Sequence, residues 1–405
     1  MNFSFTLKQQ DNQTRARVGT IFTSHGEIQT PAFSPVGTRA TVRALSVDDL
    51  KATGSQVVLA NTYHLYLYPG TDVIQKFGGF GPFMKWDGPT ITDSGGYQVS
   101  FLWNKHKGND RVGERHAFPS AEFASSVKIT DEGALFKSHL DGSEHLLTPE
   151  KSMEIQHILG ADIIMALDHP VAKEMSEKQI EDACRRTFLW EQRSFDAWQK
   201  LEKERKSGSF QALFGILQGG LNKVLRTKFL KFVLDTGFPG IAIGDETIGV
   251  DPNITAASLD TIVDLLPDDK PLHALGLGGG PEGIFKAIER GVDMFDNTSI
   301  TRMARAGLLF IYPEDGGAVG NKFRIDITKQ TYKDKKKPVS KVCNCSTCKS
   351  YSSAYVHHLI KMQEFLGFRL ASMHNIYFIN ELMRQIREVI MEGKYKDLRD
   401  KWLEV

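Results

Sequence analysis

Charge of either sign is in no excess in this chain: 50 Lys and Arg stand against 49 Asp and Glu in 405 residues. That balance excludes a chain that is basic all over, so any nucleic-acid contact must come from a local face. One candidate is the stretch 329–341, KQTYKDKKKPVSK, which reads equally as a solvated linker. Long apolar runs are also missing. None approaches the ~20 residues of a membrane-spanning helix, and the opening MNFSFTLKQQDNQTRARVG holds no signal-type apolar core. A cytoplasmic protein with no membrane partner and reduced thiols is therefore expected.

Cysteine is scarce, with four in all, yet three crowd into Cys343-Asn344-Cys345-Ser346-Thr347-Cys348, and His374 lies beyond them. In a reducing setting such a cluster points to metal rather than disulfides. Three soft thiolates and one imidazole complete a tetrahedral set without water, the usual form of a structural zinc site. One Zn2+ per chain is expected on Cys343, Cys345, Cys348 and His374. Cys184 stands alone in an arginine-rich helical stretch and reads as packing.

Between residues 31 and 297 one theme recurs. A short apolar run, in most cases ending in Gly, Asp, Asn or Gln, is followed by a longer amphipathic stretch. The runs end at Val36, Asn61, Asp93, Asp168, Gln218, Gly244, Leu277 and Asp296. Apolar runs without alternation suit parallel strands buried on both faces. Thr148-Pro149 reads as an N-cap and first helical residue, with Gly160 as the stop. Eight β-then-α units predict an α/β fold, a (β/α)8 TIM barrel. A doubly wound open sheet is the alternative, weakened because no Gly-x-Gly-x-x-Gly follows the first run.

Chemistry in a TIM barrel sits at the C-terminal strand ends. The residues there are Asn61, Asp93, Asp168, Gln218 and Asp296, with Gly244 and Gly276 exposing backbone. Each Asp alone could cap the next helix. Asp93, however, is followed by Ser94-Gly95-Gly96, a backbone-exposing turn. No His-x-His ends an early strand, so the barrel carries no metal signature of its own. Past about residue 325 the pattern changes. Residues 351–366 read as a helix, and His374 opens a last long helix with Ile376, Ile379, Met383, Ile386 and Ile390 on one face. The expected division is a barrel domain over 1–324, then a zinc-binding subdomain and final barrel helix over 325–405.

Several motifs together carry a family likeness: Leu59-Ala60-Asn61-Thr62-Tyr63-His64-Leu65, Thr92-Asp93-Ser94-Gly95-Gly96-Tyr97-Gln98, Phe136-Lys137-Ser138-His139-Leu140-Asp141-Gly142, Gly291-Val292-Asp293-Met294-Phe295-Asp296 and the Cys-x-Cys-x2-Cys…His set. Over nearly its full length the chain resembles tRNA-guanine transglycosylases of the bacterial queuosine type. The resemblance implies exchange of guanine at the anticodon wobble position of certain tRNAs for a 7-deazaguanine, on a zinc-bearing TIM barrel that forms a homodimer. It makes Asp296 the nucleophile and Asp93 the general acid/base. Asp168 and Gln218 would read guanine, Tyr97 would stack on it, and Arg302 and Arg305 would grip the anticodon loop.

The chemistry accounts for these residue types. Exchange at a sugar carbon without loss of stereochemistry takes two displacements, hence one carboxylate to attack and one to move protons. A third carboxylate can accept the paired N–H donors of guanine. Such a base must first be unstacked from its loop.

The chain also departs from the family. The usual Gly-Gly-Leu-Ala loop is Gly244-Asp245-Glu246-Thr247-Ile248. Asp245 and Glu246 would favour a cationic aminomethyl group, as on preQ1, and Ile248 would crowd queuine, with neutral preQ0 last. Asn297 replaces a cysteine, and His169-Pro170 replaces Glu-Cys. The stretch 99–128 is longer than in the family and holds Trp103, Lys105, Lys107, Arg111 and Arg115, suited to RNA contact. The alternatives are a deazapurine transglycosylase acting on another base or polynucleotide, and a non-catalytic tRNA-binding subunit.

Overall fold

A computed structural model describes residues 3–101, 127–172, 175–205, 209–245, 247–249 and 251–404. Most of the 99–128 stretch, with Trp103 and its four basic residues, and also Glu246 lie outside the described residues.

The chain starts with an antiparallel sheet of β1 (Ser4–Gln10), β2 (Arg17–Thr23) and β3 (Gly26–Thr30). Three strands follow, β4 (Ala32–Ser34), β5 (Val58–Ala60) and β6 (Thr90–Thr92). A small antiparallel sheet of β7 (Lys128–Ile129), β8 (Ala134–Lys137) and β9 (Glu144–Leu147) interrupts them. The series resumes with β10 (Ile163–Met165), β11 (Ala212–Leu217), β12 (Gly240–Ile243), β13 (Leu272–Ala274) and β14 (Met294–Asp296). A hairpin-like pair, β15 (Leu308–Phe310) and β16 (Arg324–Asp326), precedes the C-terminal helices.

The eight strands form one parallel sheet in the order β4-β14-β13-β12-β11-β10-β6-β5. A parallel bridge between Val36 and Leu59 joins its two edge segments. The Gly37 amide donates to the Leu59 carbonyl at 2.6 Å, and the Leu59 amide to Pro35 at 3.1 Å. The sheet is thereby a barrel, and the predicted fold class holds.

Side-chain alternation divides the strands between two apolar clusters. Ile163, Met165, Phe214, Ile216, Ala242 and Met294 fill the interior. Ile164, Leu213, Ile241, Leu272, Ala274 and Phe295 face the surrounding helices. Ile21 and Ile28 join the inner cluster, so β2 and β3 close the N-terminal end of the barrel. The other end is left for chemistry.

All eight predicted strands are present. The seventh lies two residues earlier than its sequence signal, at Leu272–Ala274 instead of 274–277. His273 breaks the apolar run there, and Gly276 turns the chain away in a left-handed conformation, φ +70°. The predicted helix over Pro149–Leu159 is found with Thr148 as N-cap and Gly160 as its left-handed stop.

The C-terminal helices differ from expectation. One spans Ser353–Lys361 and the next Phe365–Met391, so His374 lies well inside the long helix and does not open it. The break falls at 362–364 because Gln363 takes a left-handed turn, φ +57°, that the apolar pattern does not signal. The long helix packs on β4 and on the helix Ser299–Arg305. Arg387 donates to the Pro31 carbonyl at 2.6 Å, fastening that helix beside the first barrel strand.

Candidate active site

Asp93 follows the last residue of β6, at the open end of the barrel. The Thr62 amide donates to Oδ1 at 2.8 Å, and the Gln98 amide donates to Oδ2 at 2.7 Å. Asn61 also donates to Oδ2. Burial pushes this carboxyl up to about 6; the three hydrogen bonds oppose the rise, and the charge of Asp296 adds to it. Asp93 and Asp296 therefore feel one another across the mouth.

Asp168 is buried, and Gln218 donates to its Oδ2 at 2.7 Å. Burial pushes Asp168 up to about 7, and the charge of Asp93 contributes. Gly96 makes this neighbourhood possible. A Cβ at that position would meet the Asp168 carbonyl at 2.8 Å, so only glycine lets the turn after Asp93 approach so closely. Gln218 is fully engaged in this state. Its amide also donates to the Gly244 carbonyl at 2.6 Å and accepts from the Val171 amide at 3.0 Å. To donate to a base it must release one of these partners.

Asp296 ends β14 and shares the parity of Met294, which faces the interior. His273 Nε2 lies 3.0 Å from its Oδ1, and the Gly276 amide donates to the same oxygen at 3.1 Å. The left-handed turn at Gly276 aims that amide back at the carboxylate. Asn297, in the family's cysteine position, donates to the Leu277 carbonyl at 2.6 Å and accepts from Ser299 at 2.5 Å, fixing the next turn.

Asp245 is held from within the fold. Its carboxylate accepts from Arg226 Nη2 at 2.5 Å, from the Gly220 amide at 2.8 Å and from the Thr247 amide at 2.9 Å. Arg226 is fully buried and also holds Leu217 and Gly220 by their carbonyls. Ile248 is buried. Tyr97 is 45% exposed on the helix that follows Asp93. Arg302 is exposed and Arg305 half-buried on the helix that follows Asp296. His169 takes a hydrogen bond at 2.9 Å from Arg186, and burial pushes its imidazole down to about 4.

The sequence reading missed His273, Arg226 and the supporting role of Gln98. A polar residue in the middle of a barrel strand, as in Leu272-His273-Ala274, was the available signal for the first.

The cysteine cluster is assembled. Cys343, Cys345, Cys348 and His374 are all buried, with their ligand atoms within 4.8 Å of one another. His374 Nδ1 lies 3.7, 3.4 and 3.3 Å from the three sulfurs. Spokes of about 2.0–2.3 Å give a zinc tetrahedron edges of roughly 3.3–3.8 Å, so the set fits such an ion. The Phe310 carbonyl sits 2.7 Å from Nε2, which fixes the tautomer and turns Nδ1 toward the thiols.

Comparison with known proteins agrees with this geometry. The family model described as Queuine tRNA-ribosyltransferase matches residues 11–405. A Queuine tRNA-ribosyltransferase of Fusobacterium nucleatum is 40% identical over 406 residues, covering 100% of this chain and 99% of its own. One from Desulforamulus reducens is 39% identical over 405 residues, covering 100% and 99%. One from Halothermothrix orenii is 40% identical over 403 residues, covering 100% and 98%.

Proposed function

Because the chain belongs to the queuine tRNA-ribosyltransferase family, a family of pentosyltransferases, we propose that it exchanges guanine in tRNA for a 7-deazaguanine by double displacement. The observation that carries this reading is the meeting of Asp93 and Asp296 at one barrel mouth, close enough for the charge of Asp296 to raise Asp93.

In this reading Asp296 attacks C1′ of the wobble ribose as the glycosidic bond breaks. The electron pair of that bond leaves with the base, and Asp93 supplies a proton to it. A covalent ribose ester on Asp296 remains. Asp93 then takes a proton from the incoming base, which displaces the carboxylate with net retention. A carboxyl poised at about 6 suits both directions of transfer near neutral pH. Asp168 accepts the N–H edge of guanine, and Gln218 turns one amide hydrogen to the carbonyl. Tyr97 stacks on the base, while Arg302 and Arg305 meet RNA phosphates.

The favoured incoming base is preQ1, with queuine next; the buried Ile248 supports a narrow pocket, and the presence of an acid at position 246 in the sequence supports a cationic substituent. The metal of the Cys343–Cys345–Cys348–His374 set is zinc, and it holds residues 325–405 as a module without touching the reaction. The chain forms a homodimer. Tyr355, Met362 and Phe365, at 41%, 62% and 85% exposure beside the metal module, supply an apolar face for a second copy.

The test is incubation with radiolabelled guanine and bulk tRNA. Wild type should incorporate label and leave a denaturation-resistant RNA adduct; Asp296→Ala should do neither. Binding without exchange in wild type would instead mark a tRNA-binding subunit.

A further inference from the structure

We propose that His273 is a positioning residue that selects which oxygen of Asp296 attacks the ribose. This deepens the reading above and rests on it.

His273 lies between Leu272 and Ala274, both of which face the outer helices, so its side chain points into the barrel. It is fully buried. A buried imidazole in an apolar interior is costly unless its nitrogens are hydrogen-bonded. Here only one is. Nε2 meets Asp296 Oδ1 at 3.0 Å, while Nδ1 has no hydrogen-bond partner among the described residues. An apolar side chain at this point of the strand would carry no such cost.

The protonation state follows from the partners. An ionised carboxylate only accepts, so Nε2 carries the hydrogen. A second proton on Nδ1 would leave a charged donor buried and unpaired. The neutral Nε2–H tautomer is the form that fits.

The consequence lies on Asp296. Oδ1 takes two donors, the His273 imidazole and the Gly276 amide. Oδ2 accepts no hydrogen bond among the described residues, and the side chain keeps 11% exposure. Two fixed donors on one oxygen set the plane of the carboxylate and leave the other oxygen's lone pair unencumbered. Oδ2 is therefore the attacking atom, and Oδ1 the oxygen whose orientation His273 maintains. Holding a nucleophile in its attack geometry is worth on the order of 10²-fold in rate per ångström of misplacement avoided.

The experiment compares wild type, Asp296→Ala, His273→Leu and His273→Gln in guanine exchange, with kcat and KM measured separately and folding checked by thermal melting. His273→Leu removes the donor; the Gln side chain offers an amide N–H in its place. The expected result is a kcat loss of about 10²-fold in His273→Leu with KM within twofold, and recovery to within about tenfold of wild type in His273→Gln. The RNA adduct should form more slowly in the Leu variant by the same factor as kcat. Wild-type kcat in His273→Leu would overturn the proposal. So would a Gln variant that folds normally yet is as slow as Leu. If wild type itself exchanges no guanine, the proposed function has failed and not merely the role of His273.

Discussion

Arg226 Nη2 and Asp245 Oδ2 lie 2.5 Å apart with both side chains sealed from solvent, directly beneath the loop that follows β12. The pair ties the loop after β11 to the loop after β12, since Arg226 also grips Gly220 while Asp245 gathers the Gly220 and Thr247 amides. Removing one partner of a buried pair leaves the other charge uncompensated, at a cost of about 3–5 kcal/mol. Asp245→Ala should lower unfolding stability by that amount in denaturant titrations and raise KM for the base. Loss of less than about 1 kcal/mol would mean that the pair does not brace the pocket.

The same pair redirects the argument about base choice. Asp245 is paired with Arg226 inside the fold, so of the two adjacent acids Glu246, outside the described residues, is the one to test against a cationic substituent. In a competition among preQ1, preQ0 and queuine, wild type should favour preQ1. Glu246→Gln should narrow its lead over preQ0 by about tenfold, the worth of one charge-assisted contact of roughly 1.4 kcal/mol. Equal use of preQ0 by wild type would discard the charge argument, and efficient queuine use would show that Ile248 leaves the pocket open.

Base binding should depend on pH through Asp168. Its carboxyl is pushed up to about 7 by burial, and in the proposed reading the ionised form is the one that accepts guanine N–H groups. Below pH 7 a proton must leave before the base binds, so affinity should rise about tenfold per pH unit and level off above 7. The sign for stability is the reverse. A carboxyl raised above its unfolded value stabilises the fold at low pH and loses that contribution as pH rises through about 7. Asp168→Asn should therefore gain in melting temperature relative to wild type as pH climbs from 5 to 8. A constant difference across that range would refute the shift.

Asp93→Asn should separate binding from chemistry. The amide keeps the side chain's shape and one oxygen to accept from Thr62, while Gln98 and Asn61 must turn their carbonyl oxygens to its NH2. It moves no proton, so tRNA affinity should stay within about twofold while exchange falls by about 10²–10⁴-fold. Weakened binding with unchanged turnover would make Asp93 a positioning residue.

Metal removal should loosen the C-terminal module. Elemental analysis should find one zinc per chain, and chelator or acid should release it, because thiolates bind metal only when deprotonated. His374 sits inside the long helix that carries Arg369, bonded to Asp49 at 2.7 Å, and Arg387, bonded to Pro31. Its release should expose that helix to proteolysis before the barrel is cut. Protein purified without chelator and lacking stoichiometric metal would remove the claim.

Much of this molecule is written locally. The apolar runs that end at Asn61, Asp93 and Asp296 mark strands because parallel strands buried on both faces must be apolar along their length. Thr148, Pro149 and Gly160 mark a helix because caps and stops are set by a few adjacent dihedrals. The spacing of Cys343, Cys345 and Cys348 declares a metal site because one loop can bring three thiols to one ion. Other features depend on residues far apart in the chain. His273 reads as an interruption in a strand until β14 places Asp296 beside it. Asp245 reads as a free acid until Arg226, on the helix that follows β11, pairs with it. The raised carboxyls of Asp93 and Asp168 exist only once the barrel closes around them, since desolvation and the field of a second carboxylate belong to the packed mouth and to no segment alone.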